Sequence, residues 1–402
     1  MPAPFEAVKV SEHVYWVGAI DWGIRDFHGY STSRGSTYNA YLIVADDIIL
    51  VDTVKAPFKD ELLSRVASVV DPHDIRYVIS LHSEMDHTGS LPQVLREVEP
   101  EKVFASRMGV KALTDHFHMD REIIAVGDGD ILALGGVDLT FLETRMLHWP
   151  DSMVAYLARD HLLFSQDGFG MHLAASERFA DEIPDSVLVE EGERYFANIL
   201  LPFSPLVLKL LERVSNLGVE IDIIAPDHGP IWREDLGKIL GLYSKWATQE
   251  PANKAVVVFD TMWGSTEKMA GAIGEAMTRG GLKVVLLPLK SSHRSDVAAQ
   301  LLGAGALLVG TPTINNMMFP TVADVLTYLE GLKPKNLVGA AFGSYGWSGE
   351  GAKLVGEALD RMDVEQVRDP VRVKYVPDDE ALEACGDLGA AVAKRMKEVA
   401  NE

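Results

Sequence analysis

The sequence predicts an α/β protein in two parts, and three observations support this prediction. Strand-like and helix-like segments alternate through residues 1–250. A repeating strand–loop–helix order then runs to residue 402 and predicts a five-stranded, doubly wound parallel sheet. The 402-residue length fits two or three domains, and the composition, 47% hydrophobic and 24% charged, is ordinary for a globular protein. We therefore expect two domains, residues 1–250 and 254–402.

The charge and the cysteine content narrow the classes of function. The formal net charge of -22 argues against a nucleic-acid partner and against binding to an anionic membrane surface. Cys385 is the only cysteine, so neither an intrachain disulfide nor a cysteine-rich metal module is expected. Residues 1–6 contain no basic stretch followed by an apolar core, and no apolar run looks long enough to cross a bilayer. These features predict a cytoplasmic protein without a signal peptide.

The first part contains both strand-like and helix-like patterns, joined by short polar turns. The predicted strands are 8–20 (broken around Ser11 and Glu12), 38–44, 48–51, 131–148, 153–157 and 162–165. The predicted helices are 58–69, 89–98, 108–118 and 201–217. The turn Asp46-Asp47 is expected to join two of the strands into a pair.

The six residues from His82 to His87 contain the densest group of potential metal ligands. Two imidazoles, His82 and His87, and two carboxylates, Glu84 and Asp86, follow the apolar run 76–81, which is typical of a buried strand. Imidazole suits zinc, iron, copper and nickel, whereas carboxylate favours harder ions. A mixed set without a thiolate indicates a di-iron or di-zinc site. The alternative is a polar loop with two solvated histidines.

Further candidate ligands follow other predicted strands. The residues after strands 137–147, 162–166 and 222–226 are, in turn, His148, Asp167 and Asp227-His228-Gly229. Sites in α/β folds form where strands end, so we expect these side chains to lie together. The seven predicted ligands are His82, Glu84, Asp86, His87, His148, Asp167 and His228. They suffice for two metal ions that share one carboxylate and leave an open position for substrate.

The second part begins after a polar, proline-containing run, residues 247–254, which we interpret as a linker. The β-branched run 255–259 is typical of a central parallel strand buried on both faces. The other predicted strands are 282–288, 306–309, 337–342 and 364–367.

Three loops of the second part predict a cofactor site. The loop 260–266 precedes a helix, and hydroxyl and backbone N–H groups at a helix N-terminus bind anions. The absence of a Walker lysine and of GxGxxG disfavours a nucleoside triphosphate and NAD, whereas the phosphate of flavin mononucleotide (FMN) fits these neutral donors. The loops 310–316 and 343–349 follow later strands, and Tyr345 and Trp347 can cover a flat ring. A helix N-cap cluster is the alternative. The predicted FMN-binding residues are Thr261, Met262, Trp263, Gly264, Ser265, Thr266, Thr311, Pro312, Thr313, Ile314, Asn315, Asn316, Ser344, Tyr345, Gly346, Trp347, Ser348 and Gly349.

The ligand order His-x-Glu-x-Asp-His, followed by His, Asp and His, resembles the metallo-β-lactamase superfamily, and the three loops resemble flavodoxin. Hydrolytic lactamase-like proteins usually have His at the position of Glu84, where a carboxylate favours iron. The combination resembles the flavodiiron proteins, or A-type flavoproteins, over essentially the whole chain, and is nearest to their two-domain oxygen reductases, the rubredoxin:oxygen oxidoreductases of anaerobes. Other stretches that carry the resemblance are 26–30, 37–41, 146–152 and 195–199. The implied fold is a metallo-β-lactamase-like αβ/βα sandwich followed by a flavodoxin-like sheet.

The resemblance also implies a role for each candidate residue. One iron would be bound by His82, Glu84 and His148, and the other by Asp86, His87 and His228, with Asp167 as the bridge. His28, His172 and Tyr195 would lie on the substrate side of the irons. Ordinary polar packing is the alternative for these three residues.

The implied activity is reduction of O2 to water, of NO to N2O, or of both, as in oxygen detoxification. Two Fe(II) ions and one reduced flavin supply the four electrons that O2 needs, and coupling two NO molecules takes two. The resemblance further implies a head-to-tail homodimer or a dimer of dimers, and electrons from a separate protein, rubredoxin. Related methanogen enzymes use reduced coenzyme F420 instead. The sequence does not decide between O2 and NO.

Two other functions compete with this interpretation. One is a di-zinc metallo-β-lactamase-type hydrolase with an accessory flavodoxin domain, against which both Glu84 and the flavin module argue. The other is an electron-transfer protein whose metal domain is structural, which a complete two-metal ligand set makes less favourable.

Overall fold

The computed structural model describes residues 4–216 and 218–399, which fall into two compact units. The described residues of the first unit lie within 4–28, 32–195 and 205–244, and those of the second within 29–31, 196–204 and 245–399. The segments 29–31 and 196–204 belong to the second unit, although the sequence ranges predicted above place them in the first domain, 1–250. Met1 to Ala3 and the predicted helix end at Leu217 lie outside the described residues.

Two large β-sheets and a smaller two-stranded one lie in the first unit. The first sheet contains, in spatial order, Val8–Lys9, Val14–Trp16, Tyr41–Val44, Ile48–Val51, Ile75–Ser80, Lys102–Ser106 and Ile124–Val126. The second contains Ile131–Leu134, Val137–Glu143, Met153–Leu157, Leu162–Gln166 and Ile223–Pro226. Two shorter strands, Ala19–Asp21 and Ser36–Tyr38, pair with each other. The four strands from Ile48 to Val126 are parallel neighbours, which places several strand ends at one edge.

The helices of this unit follow the strands. The α-helices are Lys59–Ala67, Met85–Thr88, Leu91–Val98, Arg107–Phe117, Asp185–Tyr195, Ser204–Asn216 and Leu236–Thr248, of which the last two cross a unit boundary at one end. The 3₁₀ turns are Ala56–Phe58, Pro72–Asp74, Ala158–Asp160 and Ala180–Glu182.

The strand Tyr41–Val44 shows how the sheets and helices pack. Tyr41 and Ile43 join the core between the two sheets, where Phe141 and Phe164 of the second sheet are fully buried. Leu42 points to the opposite face and joins the core that the helices cover. Successive side chains of a strand point to opposite faces, so a strand buried on both sides is apolar throughout. Full burial of one such side chain contributes about 1.5–3 kcal/mol.

One helical stretch has properties of a membrane-spanning segment. Among the described residues, 185–216 is long and apolar enough to cross a bilayer, and half of its most apolar window is buried inside the protein. A core helix of a globular protein has the same properties. The predicted absence of a membrane segment therefore stays a prediction.

A parallel sheet forms the second unit and confirms the predicted doubly wound topology. Its spatial order is Lys283–Pro288, Ala252–Phe259, Ala304–Ile314, Val338–Tyr345 and then two short strands, Glu365–Gln366 and Val371–Lys374, which share the fifth position. The α-helices are Ser265–Arg279, Arg294–Leu301, Pro320–Leu332, Glu350–Arg361 and Asp379–Val399. The fifth position is interrupted between Gln366 and Val371, a stretch that contains Pro370, which has no N–H to donate to a ladder.

The interpretation of residues 247–254 as a linker is wrong. The helix Leu236–Thr248 extends into this run, and the strand Ala252–Phe259 already begins within it. Gln249 is buried, and its side-chain oxygen accepts a hydrogen bond from the backbone N–H of Lys335 at 2.9 Å. The run is polar yet ordered because the protein satisfies its hydrogen bonds internally.

Two predicted strand ends also differ from the structure. The strand predicted over 137–147 ends at Glu143, and a loop closed by the Leu147 N–H to Thr144 oxygen bond at 2.9 Å carries the chain to residue 152. The strand predicted over 306–309 extends to Ile314 and makes a hairpin with Met317–Met318. Part of the predicted loop 310–316 is therefore strand.

Candidate metal centre and cofactor cavity

The segment after strand Ile75–Ser80 turns four potential ligands inward. The Leu81 N–H donates to Asp52 Oδ1 at 2.8 Å, which fixes the point where the chain leaves the sheet. The short helix Met85–Thr88 follows, and the Thr88 hydroxyl donates to the backbone oxygens of Ser83 and Glu84, both at 2.9 Å. The resulting turn buries Asp86 and His87 and leaves Met85 exposed.

The structure brings all seven predicted ligands together in two sets. In the first set, His148 Nε2 lies 3.0 Å from Glu84 Oε2 and 3.1 Å from Asp167 Oδ2, and His82 Nε2 lies 3.3 Å from the same Asp167 oxygen. His148 follows a cis peptide bond after Leu147.

The second set faces the other oxygen of Asp167. His228 Nε2 lies 3.5 Å from Asp167 Oδ1, 3.2 Å from Asp86 Oδ2 and 3.1 Å from His87 Nε2. His87 Nε2 is also 3.5 Å from Asp86 Oδ2. Asp167 thus presents one carboxylate oxygen to each set, which is the arrangement of a bridging ligand.

The hydrogen bonding of the cluster tests whether these residues fit metal ions. Among the described residues, both ring nitrogens of His82 and both carboxylate oxygens of Asp86 and of Asp167 are buried without a hydrogen-bond partner. Each such atom costs about 1–3 kcal/mol if nothing satisfies it. Imidazole and carboxylate donors without thiolate match iron or zinc. The concentration of these atoms in one place therefore fits two metal ions.

The electrostatics of the cluster favour imidazolium–carboxylate pairs at His148 and His228 when no metal is bound. Burial opposes charge on His148, but the nearby carboxylates of Asp167 and Glu84 outweigh it and raise the pKa of His148 to about 10. Burial is likewise outweighed at His228, where Asp86 raises the pKa to about 9. Metal binding would displace these protons, so metal affinity should rise with pH up to this range.

The three predicted substrate-side residues lie beside the ligand sets. His28 is exposed, and its Nε2 lies 3.7 Å from Glu84 Oε1. His172 is buried, with its Nδ1 2.7 Å from Ser36 Oγ and its ring 4.6 Å from that of His228. The Tyr195 ring lies 5.1 Å from the His172 ring. Burial, followed by the charge of His228, holds the pKa of His172 well below its usual range, so this imidazole is neutral.

Sequence reasoning missed Asp227 as a member of the cluster. Its Oδ2 lies 3.3 Å from His82 Nδ1 and 3.9 Å from His87 Nδ1, on the side of both rings away from the other ligands. The sequence feature that could have identified Asp227 is its position directly before His228, at the end of the same strand.

A cavity of about 650 Å³ opens at the carboxyl ends of the strands in the second unit. Its lining residues are Met262, Trp263, Ser265, Pro312, Thr313, Ile314, Asn315, Asn316, Ser344, Tyr345, Gly346, Trp347, Ser348 and Tyr375. Trp263 and Trp347 are 94% and 89% exposed. Large exposed apolar side chains around a concave surface mark a binding site, and flat rings of this kind can stack on a flavin. Tyr375, which follows strand Val371–Lys374, was missed because no sequence pattern connects it with the other loops.

Five predicted FMN residues do not line this cavity: Thr261, Gly264, Thr266, Thr311 and Gly349. Their polar groups act within the protein. Thr261 Oγ1 accepts from the Gly264 N–H at 3.0 Å, Thr266 Oγ1 lies 3.0 Å from Ser344 Oγ, and Thr311 Oγ1 accepts from the Phe319 N–H at 2.8 Å. Gly264 has a φ of 84° before helix Ser265–Arg279, a conformation that favours glycine.

Two protein-family models match the chain. Residues 37–229 match the "ODP family beta lactamase" model, and residues 257–389 match the "Flavodoxin" model. These matches confirm the predicted lactamase-like and flavodoxin-like folds.

The chain is also similar to known proteins along nearly its whole length. It is 44% identical over 395 residues to a "Nitric oxide reductase" of Moorella thermoacetica, covering 97% of this chain and 99% of that protein. It is 44% identical over 396 residues to the "Rubredoxin-oxygen oxidoreductase" of Megalodesulfovibrio gigas, covering 98% of each. The crystal structure of the flavodiiron protein from Giardia intestinalis matches with a TM-score of 0.95 at 35% identity, covering 99% of this chain and 98% of that one.

Proposed function

The chain belongs to the flavodiiron protein family, and from this membership we propose that it is an oxidoreductase that reduces O2, NO or both at a non-haem di-iron site. Its cofactors are FMN and two iron ions. The observation that carries the proposal is that Asp167 contacts both ligand sets. Its Oδ2 lies beside His148 of the first set, and its Oδ1 lies beside His228 of the second. The di-zinc hydrolase alternative is not favoured, since both curated relatives named above are reductases or oxidoreductases.

We assign the ligands according to the contacts in the cluster. His82, Glu84 and His148 would hold one iron, because His82 and His148 share Asp167 Oδ2 and Glu84 contacts His148. The second iron would be held by Asp86, His87 and His228, with Asp167 between the two ions. Three carboxylates would thus face the two iron cations: Glu84, Asp86 and Asp167.

The protein positions substrate and protons around the metals. When bound, the irons supply redox and Lewis-acid chemistry, and FMN supplies electrons to them. His28 Nε2, exposed and 3.7 Å from Glu84 Oε1, is placed to carry protons from solvent to the ligand cluster. His172 stays neutral, and with Tyr195 it covers His228 and keeps bulk water from that side.

The experiment that tests the function is metal analysis joined to turnover. The protein is purified without oxygen after expression with ample iron, and iron, zinc and FMN are counted per chain. It is then reduced, and O2 and NO consumption are followed separately, with a check for released hydrogen peroxide. About two irons with turnover of either gas is the expected result, from the seven donors in place. Two zincs, no iron and no gas consumption would favour the hydrolase instead.

We infer that the electron donor is a separate rubredoxin and that the protein works as a head-to-tail dimer or dimer of dimers in the cytoplasm. The name of the Megalodesulfovibrio relative supports a rubredoxin donor. The metal ligands belong to the first unit and the cavity residues to the second, so a partner chain can bring a flavin to the irons.

Dilution of the protein tests the dimer. Turnover per chain is expected to fall once the concentration drops below the dissociation constant of the dimer, because each flavin would lose its iron partner. Sedimentation at the same concentrations gives the oligomeric state. A monomer with full turnover would contradict the proposal.

Replacing Trp347 by alanine should weaken FMN binding by about tenfold, because an aromatic contact contributes about 0.5–1.5 kcal/mol beyond its buried area. FMN affinity is measured by fluorescence titration of the flavin-free protein, together with iron content, which should not change. Trp22→Ala is the matched control, since Trp22 is another exposed tryptophan but belongs to the first unit. Equal FMN affinity of Trp347→Ala and the wild type would exclude the stacking role.

A further inference from the structure

The buried carboxylate of Asp227 lies on the side of the metal cluster opposite the predicted ligand atoms. This side chain is 1% exposed, and neither of its oxygens makes a hydrogen bond to a described residue. A buried ionised carboxylate is costly unless charged or hydrogen-bonding groups face it. The groups within ion-pair distance of it, among the described residues, are the Nδ1 atoms of His82 and His87.

The position of Asp227 is fixed by its backbone. Its N–H donates to the Gln166 oxygen at 2.8 Å, and its own oxygen accepts from the Asn39 N–H at 2.7 Å. The Asn39 amide in turn donates to the backbone oxygens of Pro226 and Gly229 at 2.7 and 3.0 Å. The backbone that carries this carboxylate is therefore held on both sides, through Asp227 itself and through its neighbours in sequence.

His228, the other imidazole of the second set, shows how an acceptor beside Nδ1 affects a ligand ring. His228 Nδ1 lies 2.6 Å from the Thr37 backbone oxygen, a group that can only accept. In the neutral form of His228, the form that binds a metal, the proton must therefore be on Nδ1, which leaves the Nε2 lone pair for the cluster. A hydrogen-bond acceptor behind a ligand imidazole sets its tautomer and its orientation in this way.

Asp227 likewise places an acceptor oxygen beside Nδ1, and it does so for two rings, those of His82 and His87. Its Oδ2 is 3.3 Å from His82 Nδ1 and 3.9 Å from His87 Nδ1, while Nε2 of each ring faces the cluster. His82 belongs to the first ligand set and His87 to the second. One carboxylate thus lies behind one imidazole of each metal.

We propose that Asp227 is a positioning residue for both metal sites, which accepts the Nδ1–H of His82 and orients His87 so that each ring offers Nε2 to its own metal. This proposal rests on the ligand sets of the proposed function. Loss of the Asp227 carboxylate should therefore weaken both sites, whereas loss of a ligand such as His148 should weaken mainly one.

The test is metal titration of Asp227→Asn, a substitution that keeps volume but removes the charge and places an amide N–H toward the rings. Flavin-loaded, metal-free wild type and variant are titrated anaerobically with Fe(II) alone against a competing chelator, and the rate of iron loss to the chelator is followed. We expect both dissociation constants to rise by about 10–100-fold. Asp160→Asn is the matched control, since that carboxylate contacts His13 Nδ1 at 2.8 Å in the same unit, and it should not change iron binding.

The possible outcomes distinguish failure of the role of Asp227 from failure of the proposed di-iron function. A wild type that takes up fewer than two irons would contradict the proposed function itself. Two irons in the wild type, with unchanged binding or weakening of one site only in Asp227→Asn, would overturn the role of Asp227 alone.

A measurement on the wild type covers the case in which Asp227→Asn does not fold. The protein, labelled with 15N in histidine and loaded with zinc as a diamagnetic probe, should show His82 and His87 protonated at Nδ1 and metal-bound at Nε2. Zinc on Nδ1 of either ring would overturn the proposal.

Discussion

Replacing Asp167 by alanine is expected to abolish gas reduction, with turnover of O2 or NO lowered by about 10²–10⁴-fold. The reason is that this one side chain faces both ligand sets, at 3.1 Å from His148 Nε2 and 3.5 Å from His228 Nε2. Its loss would remove a predicted ligand from each set, namely the carboxylate that lies between His148 and His228. Metal-centred charge stabilisation contributes several kcal/mol, and each 1.36 kcal/mol is about tenfold in rate. Iron content and initial rates of gas consumption are the measurements.

Two controls make the Asp167 result specific. FMN content should stay at the wild-type value, since the cavity residues belong to the second unit. Asp222→Ala is the matched carboxylate deletion, because Asp222 lies in an exposed group with His161 and Glu220 in the same unit, and it should leave iron and turnover unchanged. An Asp167→Ala protein with two irons and wild-type turnover would disprove the bridging assignment.

Replacing Glu84 by histidine should shift metal selection from iron toward zinc and lower gas reduction by about 10–100-fold or more. Glu84 Oε2 lies 3.0 Å from His148 Nε2, and the side chain is buried. An imidazole there removes one of three anionic ligands and produces the ligand pattern that resembles hydrolytic lactamases. The backbone of Glu84 is extended, with φ -61° and ψ 142°, so histidine fits without backbone strain.

The measurement for Glu84→His is the iron-to-zinc ratio after expression with equal supplies of both metals, followed by turnover. Glu84→Gln separates charge from shape, since it keeps the geometry and loses the negative charge. If both variants select zinc, charge decides the metal; if only the histidine variant does, ligand type decides it. Equal iron content and turnover in Glu84→His would show that Glu84 does not select the metal.

The sequence predicted most of the fold because its local patterns are strong. The β-branched run before Phe259 predicts a strand buried on both faces, and the structure contains the strand Ala252–Phe259 inside the sheet, between Lys283–Pro288 and Ala304–Ile314. The polar residues that end apolar runs predicted where ligands would lie. The roles of the individual ligands and of His28, His172 and Tyr195 stay predictions, although the structure places these side chains around one cluster.

Other features depended on contacts that no local pattern contains. Residues 247–254 look like a linker because they are polar, but distant contacts such as the bonds of Gln249 to Lys335 and Asn336 make the run ordered. His148 lies on a loop rather than directly at the end of its strand, and Tyr375 enters the cofactor cavity from the fifth strand position.

By itself, therefore, the sequence determined the two sheet-containing parts, the donor types that are present and the apolar runs that most of these donors follow. Only the tertiary structure decided which oxygen of Asp167 faces which imidazole, and that Asp227 lies behind His82 and His87. The physical reason is the distance along the chain over which each kind of information acts. Hydrophobic periodicity acts over a few residues along the chain, whereas these atoms come from strands as much as 145 residues apart and meet only when the sheets pack, His82 and Asp227 being one such pair.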